Sequence, residues 1–458
     1  MDLQLLDLVG AAQAVASKKI SSVEMVQWSL DRLKTTGVAL NAVFQIYEEE
    51  ALERAKLLDQ LQAQGQSLGL LHGVPLAHKD LYSVAGHESH VGSKILRGRV
   101  ASSNAKVINL LEAQGEVNLA SLHMCEFALS PTGFNLHYGH GKNPWNPEMS
   151  CGGSSSGSGI AVAARLVYGS LGSDTGGSIR HPSAMCGVTG LKTTAAFISE
   201  EGVFPLAPSL DVVGPMAQTA RDCARILTVI SEHAKNYEEH LNGDLRGVRI
   251  GIPRTYYREN VDQEMAIALD LSLDVLRHRG AQLVEVEVPD MSLINSMMVR
   301  VMAFESLGIH REWLKTRPED YAEQVRLRIE LGHTFTTEQY QQAMSARKGI
   351  LENFVRTSFA NCDVLHVPTI QVQTPSIADS SSGTGLEILQ KLAQVTQVTK
   401  SLNYLGLPGM SVPAGFSKVG MPLAFQLIGR SLDEALLLKT ADAYQSETSW
   451  HKKIPQLR

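Results

Sequence analysis

The chain contains, at residues 150–183, the stretch SCGGSSSGSGIAVAARLVYGSLGSDTGGSIRHPS, which holds two clusters of glycine and serine. Glycine permits positive φ values and close backbone approach, so each cluster is suited to present backbone amides to a bound group. The segment between Ser154 and Ser178 is long enough for a helix and a returning strand, which would bring the two hydroxyls together. A nucleophile and a proton relay need that geometry.

The segments around this stretch alternate between apolar strands and helices. Short apolar strands and Ala-rich helices follow one another from about residue 104 to 235. The pattern continues with a strand at 247–253, a helix at 262–279 and a strand at 281–288. This alternation predicts an α/β fold with a layered sheet, and we treat residues 1–458 as one domain.

Other parts of the chain predict helices and one irregular segment. Ser21 and Thr336 each begin a capping box, in which a serine or threonine is followed three residues later by Glu or Gln. Residues 290–400 form a predicted helical excursion that includes a loop. The Ser/Gly-rich part of it, residues 374–385, predicts either a mobile loop or lid or an inert surface loop.

The composition argues against several classes of protein. The 458 residues carry a formal net charge of −6 without long runs of one sign, which argues against binding to nucleic acid or to an anionic membrane. No segment has the roughly 18 uninterrupted apolar residues of a membrane span, and the N-terminus lacks a signal-peptide pattern. We therefore expect a cytoplasmic protein that acts on a neutral or small molecule, and we leave a homodimer open.

The cysteine and histidine patterns do not indicate a metal site. The five cysteines are odd in number and lack CxxC spacing, so neither a disulfide framework nor a structural zinc site is expected. The histidine pairs at residues 87–90 and 137–140 lack the HExxH pattern of a catalytic zinc site. We expect no metal and no cofactor.

A serine nucleophile needs a base, and the sequence offers a lysine for that role. No histidine is well placed by motif, since His181 lies too close along the chain to Ser178 to face it. Burial disfavours a charged amine and lowers its pKa, so a buried lysine can act as a base near neutral pH. Lys79 ends an otherwise apolar predicted strand, Gly73–Asp80, and is the candidate.

Three blocks of this sequence together resemble the amidase signature family. They are Gly73–Asp80, Gly152–Gly157 and Gly172–Pro182, and further similar segments extend over nearly the whole chain. The similarity is weakest between about residues 290 and 360. The resemblance implies a large mixed β-sheet flanked by helices on both faces. It also implies that the 290–400 region contributes to the substrate pocket.

The same resemblance implies a Ser-Ser-Lys triad that works through an acyl-enzyme. In it, Ser178 would be the nucleophile, Ser154 the proton relay and Lys79 the base and acid. The peptide bond between Gly153 and Ser154 would be cis.

The resemblance further assigns the residues around the triad. The backbone N–H groups of the loop that ends at the nucleophile would form the oxyanion hole, namely those of Thr175, Gly176, Gly177 and Ser178. Three other residues would support the site: Ser155 orients the relay, while Asp174 and Arg180 hold the loop in shape. The substrate pocket would include Ala128, Leu129, Ser130 and Phe134.

The substrate class is less constrained than the reaction. Residues 125–139 resemble the stand-alone amidases and the carbamate or urea-type hydrolases of this family, including urethanases, and Leu129 and Phe134 indicate a partly apolar substrate. The alternative within the family is the glutaminase subunit of a tRNA-dependent amidotransferase, although no Arg/Asp pair for glutamine is evident. An alternative from another class is a phosphate-binding protein, but no GK[ST] motif follows the first glycine cluster.

Overall fold

The computed structural model of the chain describes residues 1–233 and 235–456. Its strands are β1 (Val43–Ile46), β2 (Pro75–Lys79), β3 (Val117–Leu122), β4 (Gly169–Ser173), β5 (Thr189–Lys192), β6 (Val213–Ala217), β7 (Arg249–Pro253), β8 (Gln282–Val286), β9 (Val364–Pro368), β10 (Gly409–Phe416) and β11 (Pro422–Ile428). Its α-helices are α1 (Leu8–Ala16), α2 (Ser22–Arg32), α3 (Glu48–Ala63), α4 (Lys106–Ala113), α5 (Ser156–Ala163), α6 (Arg180–Cys186), α7 (Ala220–Ile230), α8 (Gln263–His278), α9 (Met291–Thr316), α10 (Glu323–Glu330), α11 (Thr337–Ser358), α12 (Ile377–Ser381), α13 (Gly385–Thr396), α14 (Ser401–Leu405) and α15 (Glu434–Glu447).

The centre of the molecule is an eight-stranded sheet with the order β4-β6-β5-β10-β11-β9-β7-β8. Strand β7 runs parallel to β8 and β9, while the other neighbours are antiparallel. Helices α5 and α6 pack against each other and against this sheet, and α7, α8 and α15 form a second packed group against it. The predicted mixed sheet with helices on both faces is therefore confirmed.

A separate three-stranded sheet carries the predicted base. Its order is β1-β3-β2, with β2 parallel to β3 and β1 antiparallel to it. Every residue of β2 is buried, although its sequence PLAHK includes two basic side chains. His78 Nε2 lies 3.0 Å from Glu116 Oε1, and both basic side chains contact β4, His78 through the N–H of Leu171 and Lys79 through the hydroxyl of Ser173.

Helix α5 packs unusually closely on this small sheet because of its glycines. A Cβ added to Gly157 would lie 2.4 Å from the carbonyl oxygen of Ala42 and 2.5 Å from the backbone nitrogen of His123. Real Cβ atoms do not approach so closely, so only glycine fits. The first glycine and serine cluster is thus held rigidly beside the strand that ends at Lys79.

Both predicted capping boxes are confirmed. Ser21 caps α2 through Glu24, and Thr336 caps α11 through Gln339, with both reciprocal hydrogen bonds present in each case. The region 291–358 is mostly helical, as α9, α10 and α11 show, but the predicted helical excursion at 290–400 also contains β9, a strand of the central sheet. No helix within the described residues is long and apolar enough to cross a membrane.

The segment 374–385, predicted as a mobile loop or lid or as an inert surface loop, has some regular structure. It contains the short helix α12, and two backbone hydrogen bonds tie it to the start of the glycine-rich stretch. The N–H of Ser150 donates to the carbonyl of Pro375, and the N–H of Ile377 donates to the carbonyl of Glu148, each at 2.9 Å. Local sequence does not indicate this anchoring, because the partners lie far away along the chain.

Candidate active site

Lys79 lies at the end of β2 with its side chain 1% exposed. Its Nζ donates to Ser154 Oγ at 2.7 Å and to Ser173 Oγ at 2.9 Å. Burial lowers the pKa of Lys79 to about 7, although nearby acidic groups act in the opposite direction. A substantial fraction of this amine is therefore neutral at neutral pH, and its nearest partners are hydroxyl groups.

Ser154 follows a tightly packed pair of glycines. Gly152 has a φ of +75°, and the peptide bond between Gly153 and Ser154 is cis, as the resemblance implies. A Cβ added to Gly153 would lie 2.5 Å from the carbonyl oxygen of Ser130, so no side chain fits there. The carbonyl of Ser154 accepts the N–H of Cys125 at 3.2 Å, which fixes the backbone from the other side.

Ser178 precedes α6 and faces a cavity of about 220 Å³. Its carbonyl accepts the N–H of Ser155 at 3.2 Å, so the two serine-rich clusters meet as the sequence predicts. The hydroxyl of Ser155 donates to the carbonyl of Ser173 at 3.3 Å rather than to Ser154. Among the described residues, no hydrogen bond joins the Ser154 and Ser178 hydroxyls.

A buried ion pair shapes the loop between β4 and α6. Asp174 and Arg180 are both fully buried. The guanidinium of Arg180 donates to both carboxylate oxygens of Asp174, at 2.9 and 3.0 Å. Burial by itself would raise the pKa of Asp174, but Arg180 holds it well below its usual range through charge and hydrogen bonds. This carboxylate also accepts the N–H groups of Gly177 and Ile179, at 2.7 and 3.1 Å, so it organises the loop backbone.

The amides of this loop differ in their availability. The N–H of Gly177 donates to Asp174, so it is not free for a bound oxyanion, and this corrects the prediction that included it. The N–H groups of Thr175, Gly176 and Ser178 have no acceptor among the described residues. These three residues also line the cavity, while Gly177 does not. Three residues that line the cavity therefore have an unpaired backbone N–H group.

Several residues that sequence reasoning missed support the same loop. The Thr399 hydroxyl lies 2.9 Å from the carbonyl oxygen of Gly176 and 2.7 Å from His181 Nε2. Burial lowers the pKa of His181 to about 3, so this histidine is neutral and serves as a hydrogen-bonding group. Thr175 Oγ1 donates to Asp211 Oδ1 at 2.5 Å. Asp211 lies in a segment that resembles the family, whereas no local pattern marks Thr399.

The wall of the cavity comes from three parts of the chain. Ala128, Leu129 and Ser130 line it, whereas Phe134 does not. The Phe134 ring instead packs on His140, with the ring centroids 4.7 Å apart. The remaining wall is largely apolar and comes from α9, α10 and α13, through Met298, Met302, Leu327, Leu389 and Leu392.

Two cationic side chains interrupt this apolar wall. Arg328 of α10 and Lys400, which precedes α14, both line the cavity and are half-buried. Burial lowers the pKa of Arg328 to about 10. Burial, and then the charge of Arg328, lowers the pKa of Lys400. Nothing in the local sequence around either residue distinguishes it from an ordinary surface cation.

Comparisons with known proteins agree with this geometry. The family model described as Amidase matches residues 24–438. A glutamyl-tRNA(Gln) amidotransferase subunit of Neisseria meningitidis is 35% identical over 481 residues, covering 97% of this chain and 98% of the relative.

Solved structures are similar over nearly the full length. One, described as a vestigial protein complex that reveals the evolutionary origins of an s-triazine catabolic enzyme, has a TM-score of 0.89 and 28% identity, covering 99% of this chain and 100% of that one. A peptide amidase in complex with the competitive inhibitor chymostatin has a TM-score of 0.86 and 25% identity, covering 98% and 99%.

Proposed function

Because this chain belongs to the amidase family, we propose that it is a serine hydrolase that cleaves the C–N bond of an amide through an acyl-enzyme. The family and the similar structures support an amidase-type C–N hydrolase. The serine mechanism is supported above all by the buried Lys79, whose Nζ lies 2.7 Å from Ser154 Oγ, and by Ser178, which lines the cavity.

In the first step of the proposed mechanism, neutral Lys79 accepts the proton of Ser154 while Ser154 accepts that of Ser178. The Ser178 oxygen then bonds to the carbonyl carbon of the substrate. The negative charge that develops on the carbonyl oxygen is stabilised by the N–H groups of Thr175, Gly176 and Ser178. Each such donor contributes about 2.7–4 kcal/mol to transition-state stabilisation in enzymes of this type.

In the second step the tetrahedral intermediate collapses and the C–N bond breaks. The proton on Lys79 returns through Ser154 to the leaving nitrogen, so an amine or ammonia departs and the acyl group remains on Ser178. Water then attacks the ester with the same lysine as base. A carboxylic acid and the free serine result, and one lysine has acted as both base and acid. A carbamate or urea substrate would follow the same course.

A second candidate function is favoured by the names of the relatives. Proteins named as a subunit of glutamyl-tRNA(Gln) amidotransferase are 35–36% identical to this chain over nearly its full length. Such a protein would release ammonia from an amide donor with the same residues and pass it to a partner. Hydrolysis of an amide panel by the purified chain alone separates the two, because a stand-alone amidase needs no other protein for full turnover.

The proposed nucleophile is tested by labelling with a neutral fluorophosphonate, which phosphonylates an activated serine. We expect wild type to be labelled and to hydrolyse members of a panel of primary amides, anilides and carbamates. Ser178→Ala should lose both properties, because no other group supplies the bond to the acyl carbon. Ser183→Ala is the matched control, since the Ser183 hydroxyl only donates to the carbonyl of Ile179 within α6, at 2.8 Å. Labelling and full turnover in Ser178→Ala would refute the assignment.

A further inference from the structure

The peptide unit between Gly176 and Gly177, in the loop that precedes Ser178, is hydrogen-bonded at both of its polar ends. The N–H of Gly177 donates to Asp174 Oδ1 at 2.7 Å, and the carbonyl of Gly176 accepts the hydroxyl of Thr399 at 2.9 Å. Among the described residues, this hydroxyl is the only donor to that carbonyl. Both side chains are fully buried, so neither hydrogen bond competes with bulk water.

The second of these hydrogen bonds matters because the peptide unit lies between two glycines. Neither residue has a Cβ, so steric contacts restrict the rotation of this peptide plane less than that of one between residues with side chains. Asp174 holds the N–H end only, and a plane held at one end can still tilt. A tilt would change ψ of Gly176 and φ of Gly177. It would also redirect the adjacent N–H groups of Gly176 and Ser178, which are unpaired among the described residues and belong to residues that line the cavity.

The Thr399 hydroxyl has three neighbours and one proton to donate. Its oxygen lies 2.9 Å from the Gly176 carbonyl oxygen, 3.1 Å from that of Thr396 and 2.7 Å from His181 Nε2. A carbonyl only accepts, and that of Thr396 already accepts the N–H groups of Thr399 and Lys400, each at 3.2 Å. The hydroxyl proton therefore stabilises the structure most when it is donated to Gly176.

His181 then acts as the donor to Thr399. Burial lowers the pKa of His181 to about 3, so its ring is neutral and carries one N–H group. With that proton on Nε2, the ring donates to Thr399 Oγ1 and the hydroxyl donates onward to Gly176. If the ring nitrogen accepted instead, the hydroxyl proton would point at the ring. The buried Gly176 carbonyl would then have no donor, which is costly.

The same two side chains pack directly on the loop. A Cβ added to Gly177 would lie 2.1 Å from His181 Cε1 and 2.7 Å from Thr399 Oγ1, so this contact requires glycine. The backbone of Thr399 is held as well, since its carbonyl accepts Arg180 Nη1 at 2.9 Å. Arg180 also holds Asp174, so both ends of the peptide unit depend on one buried network.

We infer that Thr399 is a positioning residue for the oxyanion-binding loop, and that His181 orients the Thr399 hydroxyl for that role. The inference rests on the proposed function and adds two residues that act through the loop. Their effect is expected on the transition state, in which the oxyanion develops, and not on the bound amide. Loss of such an effect lowers kcat and kcat/KM equally and leaves KM unchanged.

The first test replaces the Thr399 hydroxyl by a methyl group of similar size. We expect Thr399→Val to lower kcat for the best amide of the panel by roughly 10- to 100-fold, the scale of a small misplacement of catalytic groups, with KM close to wild type. Thr399→Ser, which keeps the hydroxyl, should recover most of kcat. Thr440→Val is the matched control. Thr440 is also fully buried, but its hydroxyl donates to the Leu436 carbonyl within α15, at 2.8 Å.

A second readout separates positioning of the loop from a general loss of structure. Phenyl trifluoromethyl ketone has a carbonyl carbon that can bond to Ser178 Oγ. The serine proton then passes through Ser154 to Lys79, and the electron pair of the broken C=O π bond makes the ketone oxygen an oxyanion. The corresponding alcohol, phenyl trifluoromethyl carbinol, binds without forming that charge. In Thr399→Val the inhibition constant of the ketone should rise by the same factor as kcat falls, and that of the alcohol should stay unchanged.

His181 tests the same hydrogen-bond chain from its other end, and thermal unfolding verifies that each variant is folded. His181→Leu removes the donor to Thr399, so it should weaken inhibition by the ketone relative to the alcohol. His181→Gln, whose side-chain amide can donate, should weaken it less. This pair tests the inference even where Thr399→Val does not fold.

Wild-type kcat in folded Thr399→Val, or equal weakening of the ketone and the alcohol in the folded variants of both positions, would overturn the positioning role while leaving the proposed function intact. Absence of any amide hydrolysis by wild type would instead overturn the proposed function, and this inference with it.

Discussion

Two buried lysines of this protein share an environment and differ in their partners. Lys79 ends β2 and Lys192 ends β5, and their side chains are 1% and 0% exposed. Burial lowers the pKa of each to about 7. Lys79 donates to the hydroxyls of Ser154 and Ser173, whereas Lys192 donates to two backbone carbonyls, those of Thr193 and Leu407, at 2.8 and 2.9 Å.

The comparison separates a lowered pKa from a catalytic role. A hydroxyl both accepts and donates, so it can pass a proton onward, but a carbonyl only accepts. Lys192 can therefore release its proton without any route to a substrate. The proposed function depends on the partner of the lysine as much as on its pKa, and variants of the two lysines test this directly.

The largest difference is expected in turnover. Lys79→Met should lower kcat/KM by roughly 10²- to 10⁴-fold, the usual contribution of general acid–base catalysis. Lys192→Met should keep most of its turnover, because its amine contacts no group of the proposed relay. Steady-state kinetics on the best amide of the panel measures both, with circular dichroism to verify that each variant is folded. If kcat/KM falls equally in the two folded variants, Lys79 and Lys192 do not differ in their catalytic role.

Part of the candidate site could be predicted from the sequence. Lys79 ends an apolar segment that resembles the family, but Lys192 also ends a buried strand, so strand position alone does not separate the two lysines. The glycines around Ser154 are required by close backbone contacts, and Gly177 beside Ser178 has a φ of +130° and lies against the His181 ring, so they too mark the site in the sequence. The α/β architecture follows from alternating apolar periodicity, although the separate three-stranded sheet that holds Lys79 does not.

The remainder of the site depends on contacts between distant segments. Arg328 and Lys400 reach the cavity only because α10 and the residues before α14 fold over it. The occupied amide of Gly177 was missed because it depends on how Asp174 is oriented by Arg180. Phe134, which the sequence places in the pocket, packs on His140 and does not line the cavity.

A smaller effect is expected in the pH dependence of catalysis. The reactive form of Lys79 is neutral, and its pKa is lowered to about 7 by burial, so activity should rise as the pH increases through about 7 and level off above it. Below that value log(kcat/KM) should increase by one per pH unit, which makes activity at pH 5 roughly 100-fold lower than the plateau.

The second lysine serves as the control for this profile. Lys192 has a pKa lowered to the same value of about 7, so the profile alone does not identify which lysine controls it. Lys192→Met should retain the inflection near pH 7. If the pH profile becomes flat in Lys192→Met, the inflection near pH 7 belongs to Lys192, and our assignment of it to Lys79 is wrong.

The smallest effect is expected in stability. Here Lys192→Met should lose more than Lys79→Met, which is the opposite of the order expected for turnover. At about pH 11 both amines are neutral in the folded and mostly neutral in the unfolded protein, so Lys192→Met mainly removes two hydrogen bonds from the buried carbonyls of Thr193 and Leu407. We expect the free energy of unfolding, measured in denaturant, to fall by about 1–3 kcal/mol, the cost of leaving such groups unpaired. Lys79→Met should cost less, because the hydroxyls that Lys79 contacts can rotate to other acceptors.

The pH dependence of that stability difference has a definite sign. A lysine whose pKa is about 10.4 in the unfolded chain and about 7 when folded binds more protons in the unfolded state between those values, so wild-type stability rises with pH across that window. Methionine at position 192 removes this contribution. The stability gap between wild type and Lys192→Met should therefore narrow as the pH falls from about 10 to about 7 and then stay constant. If the stability difference between wild type and Lys192→Met instead widens as the pH falls from about 10 to about 7, the fold stabilises Lys192 as a cation. The two lysines would then not share a pKa lowered by burial.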